Sequence, residues 1–424
     1  EMAFRFVHTA DVHLDSPLQS LALRDAELAA LIATATRETF AAIIDLCIEE
    51  AVDALLIAGD LYDGDATSMK TAAFLAGQLR RLPPEITVFL LKGNHDAQSD
   101  ITKRLDLPAN VKQFTGYGEI HDLISRDGDA VAVHGVSFAG RHIKESLLPK
   151  YKPATAGAIN VGLMHTSLDG SPDHDPYAPV AASDLGAHGF DYWALGHIHK
   201  RMELDRGGAR IVMPGIPQGR HVNEGGPRSV TLASIAAGGA VATEERFLAL
   251  AEFMRLDISV DACAGLEDLR TCLEPSFAKA RAEAKARQSI LRPRLIGTTP
   301  AAWSFRRDRA LLLETARDIV QGHADLWIET LELEIAAPTA SPDGAGPTLE
   351  LGDDMTAALA SPAFADDAAK IVDELRRFLP REASDSLGHD DASAAAFLQR
   401  MMREAADDAL ARLAGDGGDS GDRA

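Results

Sequence analysis

Gly93-Asn94-His95-Asp96 comes just after the apolar run Val88–Leu91, and four other apolar runs end in the same chemistry. Phe4–Thr9 runs into Asp11-Val12-His13, and Ala54–Ile57 into Gly59-Asp60. Val161–Met164 runs into His165, and Tyr192–Leu195 into Gly196-His197-Ile198-His199. Open sheets place their ligand sites at the C-terminal ends of strands, so five buried strands would deliver these donors to one edge. Such a concentration of carboxylate, amide and imidazole groups is what a polynuclear metal site requires. Mixed oxygen and nitrogen donors favour Mn, Fe or Zn over Mg, which prefers all-oxygen shells. Phosphodiester hydrolysis needs a nucleophile at neutral pH and charge neutralisation on the phosphate, and two ions roughly 3.5–4 Å apart provide both. Asp60 is the candidate bridging carboxylate. Asp11 and His13 stand two apart, so both can reach one ion only if the chain turns between them. His197 and His199 can be split between the two ions.

Each motif alone means little, because Asp-x-His or Gly-Asp occurs by chance and Gly-Asn can simply form a turn. The five in this order, each behind a strand-like run, carry the inference. The other histidines, His8, His121, His142, His174, His188, His323 and His389, are expected in core or surface roles, with His134 somewhat better placed behind a strand. Cys47, on a helical apolar face, is expected in the core.

The strands need a scaffold. Residues 4 to about 250 alternate apolar runs with helical spacing at Glu38–Ala51 and Met69–Leu82, then give short strands with Gly-rich turns. That pattern predicts an α/β domain over residues 1–247, a sandwich of two sheets flanked by helices. A β-α-β-α-β order over 248–336 predicts a small α+β domain: strands at Phe253–Val260, Ser289–Gly297 and Trp327–Ile335, helices at Leu266–Gln288 and Phe305–Gly322. Ala337–Pro347 reads as a linker. Residues 348–424 read as two helical stretches, one with Ile371, Leu375 and Phe378, the other with Leu398, Met402, Ala405, Ala409 and Leu413, before a polar tail. With 424 residues, two or three domains are expected.

Composition narrows the setting. No run of 18 apolar residues predicts a membrane span, and no charged-then-apolar leader is read. Three widely spaced cysteines suit a reducing, cytoplasmic location. The net charge of −22 is unevenly spread. Residues 1–250 hold 22 Lys and Arg against 32 Asp and Glu, residues 251–310 hold 11 against 8, and residues 311–424 hold 9 against 24. Between residues 279 and 309, nine cations meet only Glu283 and Asp308. Local charge decides where a phosphate backbone can lie, so this stretch is a candidate basic island for DNA. A solvated helix face is the alternative.

The ordered set Asp11-x-His13, Gly59-Asp60, Gly93-Asn94-His95-Asp96, His165 and Gly196-His197-x-His199 resembles the calcineurin-like metallophosphoesterase superfamily. Thr9–Asp15, Gly59–Asp63 and Leu195–His199 resemble the SbcD-type DNA repair exonucleases, and Pro214–His221 with Asn223-Glu224 resembles their YhaO-like branch. The resemblance covers about the first 225 residues and rests on element order in the small domain, a capping domain in the family. It implies one ion on Asp11, His13, Asp60 and His199 and a second on Asp60, Asn94, His165 and His197, with Mn²⁺ the usual activator. It implies that His95 meets the scissile phosphate or protonates the leaving oxygen, with Asp96 orienting its ring. Asp63 stands where some relatives carry a second active-site histidine. The implied activity is metal-dependent exonuclease and endonuclease cleavage of DNA, in repair, with an SMC-like coiled-coil ATPase as partner at the C-terminal helices. A homodimer is compatible with the sequence. Hydrolysis of small nucleotide-type substrates is the alternative, and a binding subunit with a vestigial site a third reading.

Overall fold

The structure, a computed structural model, describes residues 4–16, 26–62, 68–98, 107–140, 143–168, 177–261, 263–338, 347–376, 378 and 391–416. Asp63 and most of the expected linker lie outside these residues.

Two six-stranded sheets form the first layers. The first takes β1 (Phe4–Thr9), β2 (Ala54–Ala58), β3 (Thr87–Leu91), β4 (Val111–Gln113), β11 (Ser229–Ile235) and β12 (Val241–Phe247) in the order β12-β11-β1-β2-β3-β4. The second takes β5 (Glu119–Ile124), β6 (Ala130–Gly135), β7 (Ile159–His165), β8 (Tyr192–Gly196), β9 (Met202–Arg206) and β10 (Ala209–Met213) in the order β5-β6-β7-β8-β10-β9. The central strands pair in parallel: β1 with β2, β2 with β3, β6 with β7, β7 with β8. Parallel strands covered on both faces read as continuous apolar runs, which is why Ala54–Ala58 carries no polar residue and is wholly buried.

Alternation along each strand sorts its side chains into layers. Phe4, Phe6, Leu56 and Phe89 pack with Val133, Val161, Leu163 and Tyr192 in a shared core. The intervening Val7, Leu55, Ile57, Val88 and Leu90 face instead the apolar sides of α1 (Ala26–Glu49) and α2 (Met69–Leu79), among them Phe40, Ile43, Ile44, Cys47, Leu75 and Leu79. α2 starts at Ser68, whose hydroxyl accepts the Thr71 amide at 3.2 Å. Behind the second sheet, Trp193, Leu195 and Met213 pack with Leu185 and Phe190, at and just beyond α3 (Ala182–Ala187). The predicted two-sheet sandwich is the observed one.

The chain divides into two compact units, residues 1–254, 281–290 and 325–327, and residues 255–280, 291–324 and 328–424. A third sheet contains β13 (Ala251–Ser259), β14 (Gln288–Thr298) and β15 (Leu326–Ile328), in that order, with β16 (Glu332–Ala336) also paired to β14, in parallel. Trp327–Ile335 is therefore two strands. Between them Glu329 turns its carboxylate onto Arg292. The helices here are α4 (Leu266–Glu283), α5 (Ala302–Arg307) and α6 (Arg309–Val320), the last two replacing one predicted helix.

Among the described residues three helices follow, not two: α7 (Pro347–Leu359), α8 (Pro362–Arg376) and α9 (Asp391–Asp416). The second compact unit includes them. α9 packs on α5 and α7, and its buried face runs through Ala406, Leu410 and Ala411 rather than the expected Ala405 and Ala409. The side chains of Leu375 and Leu413 lie outside the described residues.

Candidate metal centre

At the C-terminal ends of β1 and β2 the ladder outlives the strands. Asp11 N donates to Gly59 O at 3.0 Å, His13 N to Asp60 O at 3.1 Å and Leu14 N to Leu61 O at 2.9 Å. The two loops turn together. Asp11, His13 and Asp60 adopt φ of 51°, 46° and 49°, and His197, after β8, reaches 106°. L-residues rarely occupy this region, at a cost of order 1–3 kcal/mol each, and such outliers gather at functional sites. The turn that Asp11 and His13 need in order to share one target is thus built into the backbone.

These turns gather the side chains into two groups. One ligand-type atom from each of Asp11, His13 and His199 lies within 4.8 Å of the others, and the same holds for Asp60, His165 and His197. Asn94 joins the second group, its Oδ1 2.9 Å from His165 Nε2. Asp60 Oδ1 accepts the His95 amide at 2.9 Å, and its Oδ2 lies 3.3 Å from His165 Nε2. Asp11 accepts the His197 amide at 2.9 and 3.1 Å. The glycines are required by close approach. A Cβ on Gly59, at φ 94°, would stand 2.5 Å from His165 Nδ1, and one on Gly93 would overlap Asp60, 2.8 Å from its Cγ and its N.

The donor set demands a cation. His165 is fully buried and its Nδ1 faces Ala58 O at 3.0 Å, so the ring proton sits there. Its Nε2 then points a lone pair at two acceptor oxygens, Asn94 Oδ1 and Asp60 Oδ2. A second proton or a metal ion satisfies that arrangement. Burial opposes a charged ring, but Asp60 and Asp11 outweigh it and raise the His165 pKa to about 9. Burial likewise opposes charge on Asp60, yet attraction to His165 and then to His13 and His95 holds its carboxyl well below the ordinary range. Burial, against the pull of His165 and His199, raises Asp11 to about 6. A divalent ion at each group would replace this proton-based compensation, so the residues fit two metals.

His95 belongs to neither group; its ring centroid stands 5.2 Å from that of His13. Asp96 does something the sequence did not suggest. Rather than the His95 ring, its buried carboxylate accepts the amides of Leu61 (3.1 Å), Tyr62 (2.9 Å) and Gly93 (3.1 Å), tying the Asp60 loop to the Asn94 loop. Burial, then Asp60, raises its pKa to about 6. Two neighbours were missed. Tyr177 sets its ring 5.1 Å from that of His197. Glu224 Oε1 lies 2.8 Å from His199 Nδ1. A lone acid inside the Gly- and Pro-rich stretch Pro214–Pro227 was the available signal for the second. His8 is core, between Tyr192 OH (3.0 Å) and Leu195 O (3.1 Å), and His134 bonds Asn160 at 3.0 Å.

The basic stretch is largely neutralised within each unit. In the first, Arg281 pairs with Asp325 (2.5 Å) and Arg287 with Glu38 (3.6 Å). In the second, Arg292 grips Glu329 and Glu332, Arg294 grips Asp257 and Glu334, Arg306 meets Asp407 (2.8 Å) and Arg307 meets Asp308 (2.8 Å). Asp257, Asp325, Glu329, Glu332, Glu334 and Asp407 lie outside the 279–309 window. The island exists along the sequence, and the fold sets acids against Arg281, Arg287, Arg292, Arg294, Arg306 and Arg307.

Residues 4–201 match a family model described as calcineurin-like phosphoesterase, and residues 253–336 one described as the middle domain of metallophosphoesterase YhaO. The chain is 31% identical over 322 residues to an uncharacterized metallophosphoesterase, YhaO, of Bacillus subtilis, spanning 76% of this chain and 78% of that one. It is 26% identical to the DNA double-strand break repair protein Mre11 of Methanopyrus kandleri, over 50% of this chain and 49% of that one. Over 26% of this chain and 25% of the other it is 35% identical to a component of the nuclease SbcCD of Rhodobacter capsulatus. The chain therefore spans about half the length of the Mre11 relative. Among solved structures, a dimetal phosphatase from Danio rerio aligns at a TM-score of 0.37 and 13% identity, over 58% of this chain and 97% of that one. No helix among the described residues is long and apolar enough to cross a membrane.

Proposed function

The chain belongs to the calcineurin-like phosphoesterase family, and from that premise we propose that it is a two-metal DNA phosphodiesterase, an exonuclease and endonuclease of DNA repair. The observation that carries the proposal is the pair of buried donor groups at one sheet edge. Asp11, His13 and His199 would hold one ion, and His165, His197 and Asn94 the other. Asp60 would be shared, since its carboxylate feels both His165 and His13. When bound, two divalent ions neutralise the phosphoryl oxygens and supply a nucleophile at neutral pH. Mn²⁺ is the ion we expect, consistent with the mixed imidazole and carboxylate donors.

The remaining steps fall to the protein. His95, fixed by its amide on Asp60 but outside both donor groups, would give its ring proton to the leaving oxygen. Asp96 would hold the two loops in register while that happens. DNA as substrate, a cytoplasmic setting and an SMC-like ATPase partner belong to the same proposal; its support is the similarity to Mre11 and to the SbcCD nuclease component. The paired arginines of 279–309 favour a second reading, a phosphoesterase for small nucleotide-type substrates, which needs the same ligands but no DNA groove.

One experiment separates the two. The protein with Mn²⁺ is given labelled duplex and single-stranded DNA, bis(p-nitrophenyl) phosphate and a nucleotide panel, with Asp60→Asn as control. Cleavage of DNA that disappears in the control is the expected result. Turnover of nucleotides with intact DNA would establish the second reading.

A further inference from the structure

His199 is held from behind by a built relay. Glu224 is nearly buried, and its Oε1 lies 2.8 Å from His199 Nδ1. Its other contacts fix it in place: Arg220 reaches Oε1 with Nη2 at 2.6 Å and Oε2 with Nε at 3.1 Å, and the Arg220 amide donates to Oε2 at 2.9 Å. Arg228 clamps the backbone on both sides, donating to His199 O (3.0 Å), Glu224 O (3.0 Å) and Gly225 O (2.5 Å). Arg220 also donates to Ser16 Oγ at 3.2 Å, on the loop that carries His13.

A carboxylate can only accept, so the neutral His199 ring must carry its proton on Nδ1. Its lone pair is then on Nε2, the atom that stands 3.2 Å from His13 Nε2. We infer that Glu224, locked by Arg220, is a positioning residue that sets the tautomer and orientation of His199 for a divalent cation shared with Asp11 and His13. The inference rests on the two-metal reading. A buried Arg–Glu pair needs no imidazole for stability, whereas an imidazole ligand regularly needs such an acceptor behind it.

Zn²⁺ binding by calorimetry on wild type, Glu224→Ala and Glu224→Gln tests this, with thermal melts beside it. Wild type should bind two ions. Glu224→Ala should weaken one of them about 10–100-fold and leave the other, and Glu224→Gln, whose amide oxygen still accepts from Nδ1, should recover most of the loss. Both ions bound by Glu224→Ala as tightly as by wild type would overturn the inference and leave the metal reading intact. A wild type that bound no ion would overturn the metal reading itself. Should Glu224→Ala fail to fold, ¹⁵N spectra of the Zn²⁺-loaded wild type decide, with His199 assigned by comparison with His199→Asn. A protonated Nδ1 is expected, and a protonated Nε2 would refute the relay.

Discussion

Gly59→Ala puts the smallest possible addition against the ring of His165. Two costs follow from the geometry. At φ 94° a side chain is strained by roughly 1–2 kcal/mol. The new Cβ would also sit 2.5 Å from His165 Nδ1, against an ordinary contact of 3.4 Å, so the ring must retreat by about 0.9 Å. His165 is fully buried and holds Ala58 O, Asn94 and Asp60, so the retreat breaks contacts at both ring nitrogens. A misplacement near 1 Å costs on the order of 10²-fold in rate. We therefore expect kcat for bis(p-nitrophenyl) phosphate with Mn²⁺ to fall about 100-fold and stability to drop by about 2–3 kcal/mol. Gly77→Ala is the internal control. On α2 its Cβ meets nothing within 4 Å, so activity should hold and stability rise by roughly 0.5–1 kcal/mol. Wild-type turnover and metal content in Gly59→Ala would refute the account of how this motif glycine works.

His95→Ala should keep both ions yet lose about 10²–10⁴ in rate; metal analysis showing a lost ion would instead make His95 a ligand. Arg292→Met should destabilise the protein by about 3 kcal/mol, because it strands the nearly buried Glu329; an unchanged urea midpoint would show the pair to be idle. Burial lowers the His8 pKa to about 3, from 6.5 in the unfolded chain, so its contribution is complete above pH 6.5 and is lost as pH falls toward 3. That loss is about 2 kcal/mol by pH 5. His8→Gln should flatten the fall in unfolding free energy between pH 7 and 5, and identical slopes for the two proteins would count against it.

The two-sheet fold was legible because buried parallel strands such as Ala54–Ala58 leave an unbroken apolar record. The convergence of Asp11, His13, Asp60, Asn94, His165, His197 and His199 was legible because each follows such a strand, and strand ends are where a sheet presents side chains. What failed to show was pairing across sequence distance. Counting charge between 279 and 309 could not reveal that Arg294 reaches Asp257 and Glu334, 37 and 40 residues away. The same blindness hid Glu224 behind His199, and it hid Asp96 under the backbone of Leu61 and Tyr62. The stripe on α9 was read one position off at Ala405 and Ala409, since helical spacing alone does not say which neighbour, here α5 and α7, a face will meet.

The left-handed turns at Asp11, His13, Asp60 and His197 carry a thermodynamic consequence. The backbone of Asp11, His13 and Asp60 is held by the ladder between two loops and by the amides on Asp96, and that of His197 by the Asp11 carboxylate, none of which involves an ion. Folding therefore fixes the donors before any cation arrives, and capture of the metal carries little ordering entropy. Chelation should then empty the site without melting the sheets, unlike small domains whose metal is their folding energy. Ion exchange would be reversible on the native protein, its speed set by dehydration of the incoming cation.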